Sequence, residues 1–368
     1  MALVGIAGIE EEIAAQREAM GGRSEPYERA LTLLPSVLEG PPGRFVAAAW
    51  EHRRFLASYD RPLLLLAALR DDALATGPGH PLHAAFAARD PDPDAVTEGR
   101  LAETLDGTRE AVFDSLAHRS VQANGTSRAV AWLWPAALAG ASRHGRTLAL
   151  AEVGAGAGLN LVADVLPPMW TTGAGMPLEV ARDIRAVARL GLDPAPLDAL
   201  DREGVRWLRA CVWPGERAEE DRLDAALAAF RSARVHPDAP VLVPIGASNV
   251  PARLDLLSAA ESGALVLAYQ AVLRDHLEPD EREEYESGMR DWLGTHPPAH
   301  ALWIELEPEG VGSIEAALVA HVRAPWGELK TLELARCALP PSRLDVRPAA
   351  AAELRHLLGA EAHAGVRA

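Results

Sequence analysis

The chain has 368 residues, 49% of them hydrophobic and 24% charged, with a formal net charge of −16 at pH 7. That length accommodates two domains, or one large domain with an extension, around a sizeable core. So acidic a balance argues against general binding to nucleic acid or to an anionic membrane, since both need a basic surface.

The first ten residues carry no basic region and turn acidic at Glu10, so they do not read as a secretory leader. From there to residue 145, apolar positions recur at three- and four-residue spacing, as in Ala30, Leu31, Leu34, Val37 and Leu38. Breaks fall at Pro/Gly clusters such as Gly40-Pro41-Pro42-Gly43. This pattern predicts a helical N-terminal region over 1–145, suited to a lid or substrate pocket. The aliphatic run at 63–69 is far too short to span a bilayer. His80 and His83 have metal-like spacing, but their loop is rich in proline and no further ligand stands near, so no metal is expected. Residues 121–128 form a polar island ahead of an apolar helix. Gln122, Asn124 and Arg128 are its candidate substrate-binding residues, with Arg128 able to pair with a carboxylate. Helix capping by Asn124 or Ser127 is the alternative.

Residues 148–161 read Leu-Ala-Leu-Ala-Glu-Val-Gly-Ala-Gly-Ala-Gly-Leu-Asn-Leu. An apolar run ends in Glu152, glycines follow at 154, 156 and 158, and an apolar pattern resumes. The reading is a buried strand, a tight turn and the first turn of a helix. Glycines there allow positive φ and let a ligand approach the backbone without a Cβ in the way. A dinucleotide fingerprint would be G-x-G-x-x-G. The spacing G-x-G-x-G after an acid is instead the form typical of class I S-adenosylmethionine (SAM) methyltransferases. Glu152, Gly154, Gly156, Gly158 and Asn160 are therefore candidate cofactor-binding residues, the acid suiting a cationic amino group. A ligand-free Gly/Ala-rich turn is the plain alternative.

Beyond this point short apolar runs alternate with amphipathic helices. Strands are expected at 148–153, about 184–188, 241–245, 264–269 and 301–306, and helices at 217–233 and 280–293. That alternation predicts a doubly wound parallel sheet. Ligands in such sheets lie beyond the carboxyl ends of the strands. After the second strand, Asp193 can accept hydrogen bonds from a ribose, although it lies farther from the glycines than the roughly 20 residues usual for such an acid. An insertion at 167–177 accounts for the excess. After the third strand, Ser248 and Asn249 either contact the cofactor or cap the next helix. After the fourth, Tyr269 and Gln270 occupy the place of substrate-orienting, catalytic residues, though neither is an obvious base near pH 7. Two apolar runs at 314–322 and 329–335, joined by Ala324-Pro325-Trp326-Gly327-Glu328, read as a β-hairpin. A methyltransferase sheet closes with an antiparallel strand carried by such a hairpin. The two cysteines, Cys211 and Cys337, form no C-x-x-C pair and fit a reducing cytoplasm.

Four places together resemble DUF2332, a bacterial family of unknown function with a core similar to class I SAM methyltransferases. They are Gln122-x-Asn124 with Arg128, the stretch from Glu152 to Leu161 with Asp164, Gly191-Leu192-Asp193 leading to Asp198, and Val212-Trp213-Pro214 ahead of a long helix. The chain departs from the family pattern at Gly125, where members carry Glu, at Tyr269-Gln270, where they carry Trp-His, and near Ser248, where they carry an acid. The expectation is thus an α/β protein with a Rossmann-like sheet, an antiparallel C-terminal hairpin and a helical N-terminal region. Its divisions would be 1–145, 146–340 and a tail or helix over 341–368. The expected function is SAM binding and methyl transfer to a small-molecule substrate in the cytoplasm, with the oligomeric state left open. A non-catalytic binding or regulatory protein with a degenerate pocket is the alternative.

Overall fold

A computed structural model describes residues 4–122, 125–261 and 263–359. The chain forms two compact units, one made of residues 1–123 with 200–221 and the other of 124–199 with 222–368.

The first unit is helical among its described residues. Its central helix, Asp60–Thr76, is buried on nearly every side, with residues 64–69 forming a continuous apolar stretch. Three charged residues in it are buried as well, and each has a partner. Arg70 meets Glu220 at 2.5 Å, Asp71 meets Arg206 at 2.8 Å, and Asp72 takes Arg109 at 2.8 Å and His80 at 3.0 Å. The return segment 200–221 is thereby fastened to the central helix. His80 accepts from the Leu82 backbone N–H at its other ring nitrogen. It is a structural histidine, and among the described residues no group of His, Cys, Asp and Glu is arranged to hold a metal. No described helix is long and apolar enough to cross a membrane.

Among its described residues, the second unit is built on one nine-stranded mixed sheet. Its strands are β1 (Leu148–Val153), β2 (Thr171–Thr172), β3 (Ala186–Asp193), β4 (Val241–Pro244), β5 (Leu265–Ala271), β6 (Ala301–Pro308), β7 (Glu315–Arg323), β8 (Leu329–Ala338) and β9 (Arg343–Val346). The order is β2-β9-β8-β7-β6-β5-β1-β3-β4. Strands β4, β3, β1, β5 and β6 run parallel to their neighbours, and β6, β7, β8 and β9 pair antiparallel. The expected α/β alternation and the expected C-terminal hairpin are both present.

Strand β1 lies between β3 and β5 and is buried along its whole length, which explains its unbroken apolar run. Side chains of a strand alternate between faces. Leu148 and Leu150 of β1 pack with Leu265, Leu267 and Tyr269 of β5 on the face covered by helices Val130–Leu138 and Pro348–Leu357. Ala149, Ala151 and Val153 pack with Val266, Ala268 and Trp303 on the opposite face, with Tyr285, Met289 and Trp292 of helix Pro279–Thr295. Burying each of these large side chains contributes about 1.5–3 kcal/mol.

Three local expectations are corrected. The segment after the glycines is a 3-10 helix, Leu159–Val165, that stops just short of Pro167-Pro168, so no long helix points its N-terminus at the turn. The second parallel strand runs to Asp193 rather than ending near 188. The sheet also gains β9 and the two-residue β2, which pairs parallel with β9 inside the stretch read as an insertion. Both are too short to show a period of two.

Candidate functional site

Along the parallel part of the sheet, β1, β3 and β4 step one way, and the chain then returns to place β5 and β6 on the other side of β1. The ends of β1 and β5 therefore flank the switch in direction, where open α/β sheets leave a crevice for a ligand. Glu152 and Tyr269 sit side by side there in the strand register.

The glycine turn follows β1. Gly154, Gly156 and Gly158 have φ of 74°, 53° and 70°, so all three occupy the left-handed region that L side chains rarely adopt. At Gly158 a Cβ would also come within 2.7 Å of Leu242, so that glycine serves packing as well as conformation. The turn is fastened to β3. Gly154 N–H donates to Leu192 O at 2.8 Å, and Gly156 N–H donates to the Asp193 carboxylate at 2.8 Å. The other Asp193 oxygen accepts from Ala195 N–H at 2.8 Å, and Leu197 N–H reaches Gly156 O at 3.1 Å. Asp193 thus braces the loop, a role its sequence position does not show. Asp193→Ala is expected to lower the stability of the ligand-free protein by about 1.5–3 kcal/mol, the usual loss for hydrogen bonds to a charged group. Urea denaturation would check this, and a change below half a kilocalorie would leave the brace without consequence.

Glu152 is buried, and its Oε1 accepts from Asn160 Nδ2 at 3.1 Å. Its Oε2, Asn160 Oδ1 and the Tyr269 hydroxyl are all buried without a hydrogen-bond partner among the described residues. The Tyr269 hydroxyl lies close enough to act on Glu152 electrostatically, although the pair falls short of full hydrogen-bond geometry. Burial pushes the Glu152 acid up from 4.5 to about 8, against the pull of Tyr269 and Asn160, with Asp193 adding to the rise. Burial likewise lifts the Tyr269 phenol well above 10, with Glu152 as the next cause. Trp132 holds the far side, its indole N–H donating to Asn160 O at 3.0 Å. Arg128, in the 3-10 turn Thr126–Ala129, is near enough to favour the charged form of Glu152. Its neighbour Ser127, read from sequence only as a cap, has a buried hydroxyl with no partner among the described residues.

Gln270 faces the other way. Its Oε1 accepts from Tyr285 Oη at 2.5 Å and Trp303 Nε1 at 3.2 Å, and its Nε2 donates to Glu307 at 2.8 Å. The period of two thus separates a pair expected to act together. Tyr269 joins Glu152, whereas Gln270 is absorbed into a buried network on the opposite face. Glu307 in turn accepts from Leu273 N–H at 3.0 Å and Arg274 N–H at 3.2 Å, and burial lifts it to about 7. These bonds hold the turn after β5, where Val272 has φ of 58°. A β-branched residue there carries strain of order 1–3 kcal/mol, a cost met mostly at ligand-binding turns. Arg274 also pairs with Glu305 at 2.8 Å and Glu286 at 2.9 Å.

Ser248 and Asn249 form the 3-10 turn after β4, two strands away from β1, and Asn249 makes no side-chain cap. Gln122 lies in the first unit, its backbone N–H on the Cys211 sulfur at 3.4 Å. Asn124 is outside the described residues.

Fold and turn define an α/β protein with a polar, partly unpartnered cluster at the switch point of its sheet. The chain belongs to DUF2332, described as an uncharacterized protein conserved in bacteria, whose family model matches residues 11–345. No curated protein and no solved structure matches it.

Proposed function

We propose that the protein binds SAM at the turn 152–158 and transfers its methyl group to a small molecule. The observation that carries this reading is the set of unpartnered acceptors at the end of β1. Glu152 Oε2 and Asn160 Oδ1 are stripped of water and call for a ligand that brings donors, as the amino group of SAM does. The Rossmann-like order of the five parallel strands, the left-handed glycines and the antiparallel closing hairpin support the same class. Asp193 stands where a ribose acceptor is wanted, while its two oxygens already hold the turn in shape. When bound, SAM supplies a methyl group already activated by its sulfonium. The protein's task is then to position the acceptor and exclude water, and no base is required of Tyr269.

A second reading, ligand binding without turnover, is favoured by the engagement of Gln270 inside the protein. It shares the cofactor site and differs only in the absence of an acceptor.

Calorimetry with SAM and S-adenosylhomocysteine on the full chain tests the site. Both ligands should bind the native protein, and Gly156→Val, which forces a branched side chain into a left-handed position in the ligand path, should abolish binding. Circular dichroism would confirm that the variant is folded. Undiminished affinity in the folded variant would place the site elsewhere, and no binding to the native protein would end the proposal.

A further inference from the structure

The surroundings of Glu152 suit a neutral acid better than a carboxylate. The residue is 4% exposed. One oxygen accepts from the neutral amide of Asn160, and the other has no hydrogen-bond partner among the described residues. A carboxylate withdrawn from water needs stronger compensation than one neutral donor. The groups facing it come from four elements. Strand β5 brings the un-ionised phenol of Tyr269, and the 159–165 turn brings Asn160. Strand β3 brings a second negative charge, Asp193, and the 126–129 turn brings the positive charge of Arg128, the smallest of these influences. The other cation in this region, Arg189 of β3, is taken up by Asp164 at 2.7 Å and Asp238 at 3.2 Å.

We infer that ligand capture at this site is coupled to proton release: the ligand-free protein holds Glu152 as a carboxylic acid, and a ligand bearing an ammonium group displaces that proton to solvent. The inference rests on the SAM-site reading. The only bond broken is the O–H bond of Glu152, and its proton passes to water or buffer. The ammonium N–H groups then donate to Oε2 and to the unpartnered Oδ1 of Asn160. Because burial lifts the acid to about 8, about nine-tenths of the molecules carry the proton at pH 7. Affinity for such a ligand should rise up to about tenfold per pH unit below that value and level off above it.

The test is calorimetry of the full chain at pH 7 with S-adenosylhomocysteine in phosphate and in Tris, whose ionisation heats differ. The difference in heats should give release of about 0.9 proton per ligand. Adenosine, which lacks the amino group, should bind with no release. Glu152→Gln should bind adenosine unchanged, bind S-adenosylhomocysteine at least about tenfold more weakly, and release no proton with either. Carboxyl carbon NMR of the ligand-free protein, with Glu152→Gln to assign the resonance, should show this acid titrating near 8. Binding without proton release, or titration between 4 and 5, would overturn the coupling and leave the SAM site standing. Failure of S-adenosylhomocysteine to bind at all would overturn the SAM site and the coupling with it.

Discussion

Asp164→Ala is expected to destabilise the sheet unit by about 3–5 kcal/mol, the loss usual when one partner of a buried ion pair is removed. Asp164 lies in the 3-10 segment behind the glycine turn, and its two oxygens take Arg189 Nη1 at 2.7 Å and Nη2 at 3.0 Å. The same carboxylate accepts from Ile184 N–H at 3.3 Å. Arg189 is itself buried on β3 and also donates to Leu161 O. Without Asp164, its guanidinium would remain in the interior with only the half-exposed Asp238 as counter-charge. Arg189→Met alone should cost a comparable amount, and the double variant should recover much of it, because no charge is then left buried. Urea denaturation of the four proteins gives the coupling directly. A loss below about 1 kcal/mol in Asp164→Ala would mean that water reaches the arginine and that the pair does not hold the segment against β3.

The second large effect is a pH-dependent gain in stability from Glu152→Gln. The native acid is lifted from 4.5 to about 8. Between those values the folded protein retains a proton that the unfolded chain has released, so wild-type stability falls as pH rises through the window. Glutamine keeps the shape of the neutral acid and does not titrate. The variant should match the wild type near pH 4.5 and exceed it by on the order of 4 kcal/mol at pH 8 and above, about 1.4 kcal/mol per unit. Glu307, lifted to about 7, imposes a slope of the same sign in both proteins, and it cancels from the difference. Thermal denaturation at pH 5 and pH 8.5 checks the sign. A variant less stable than the wild type at both values would make Glu152 an ionised, stabilising residue instead.

What could be read from the sequence was what depends on local conformation or on a strong period. The glycines announced their left-handed φ, the apolar run of β1 announced a strand buried on both sides, and Trp326-Gly327 announced the hairpin. Contacts made at long range could not be read. Asp193 was legible as an acid at a strand end, but nothing in its neighbours showed that it would hold Gly156. Ser127 looked like a helix cap because serine so often is one, and only the fold reveals its hydroxyl buried and unpartnered. Gln270 adjoins Tyr269 in sequence, but β5 runs on to Ala271, and alternation along it puts the two side chains on opposite faces. The segment after Gly158 resembled an α-helix until Pro167 and Pro168 cut it short.

The chain of ion pairs beyond β5 bears on how this protein could be shortened. His321 of β7 reaches Glu305 Oε2 at 2.7 Å, stacks on Trp303 with ring centroids 4.3 Å apart, and leans on Thr331 of β8 at 3.0 Å. Glu305 carries the linkage to Arg274 in the turn that bears Val272. A version truncated after β6 would keep all five parallel strands, yet one wall of the crevice would lose its outer strut. The C-terminal strands therefore act as a brace for the turn after β5, and a trimmed core lacking them would leave Glu305 and Arg274 without that support.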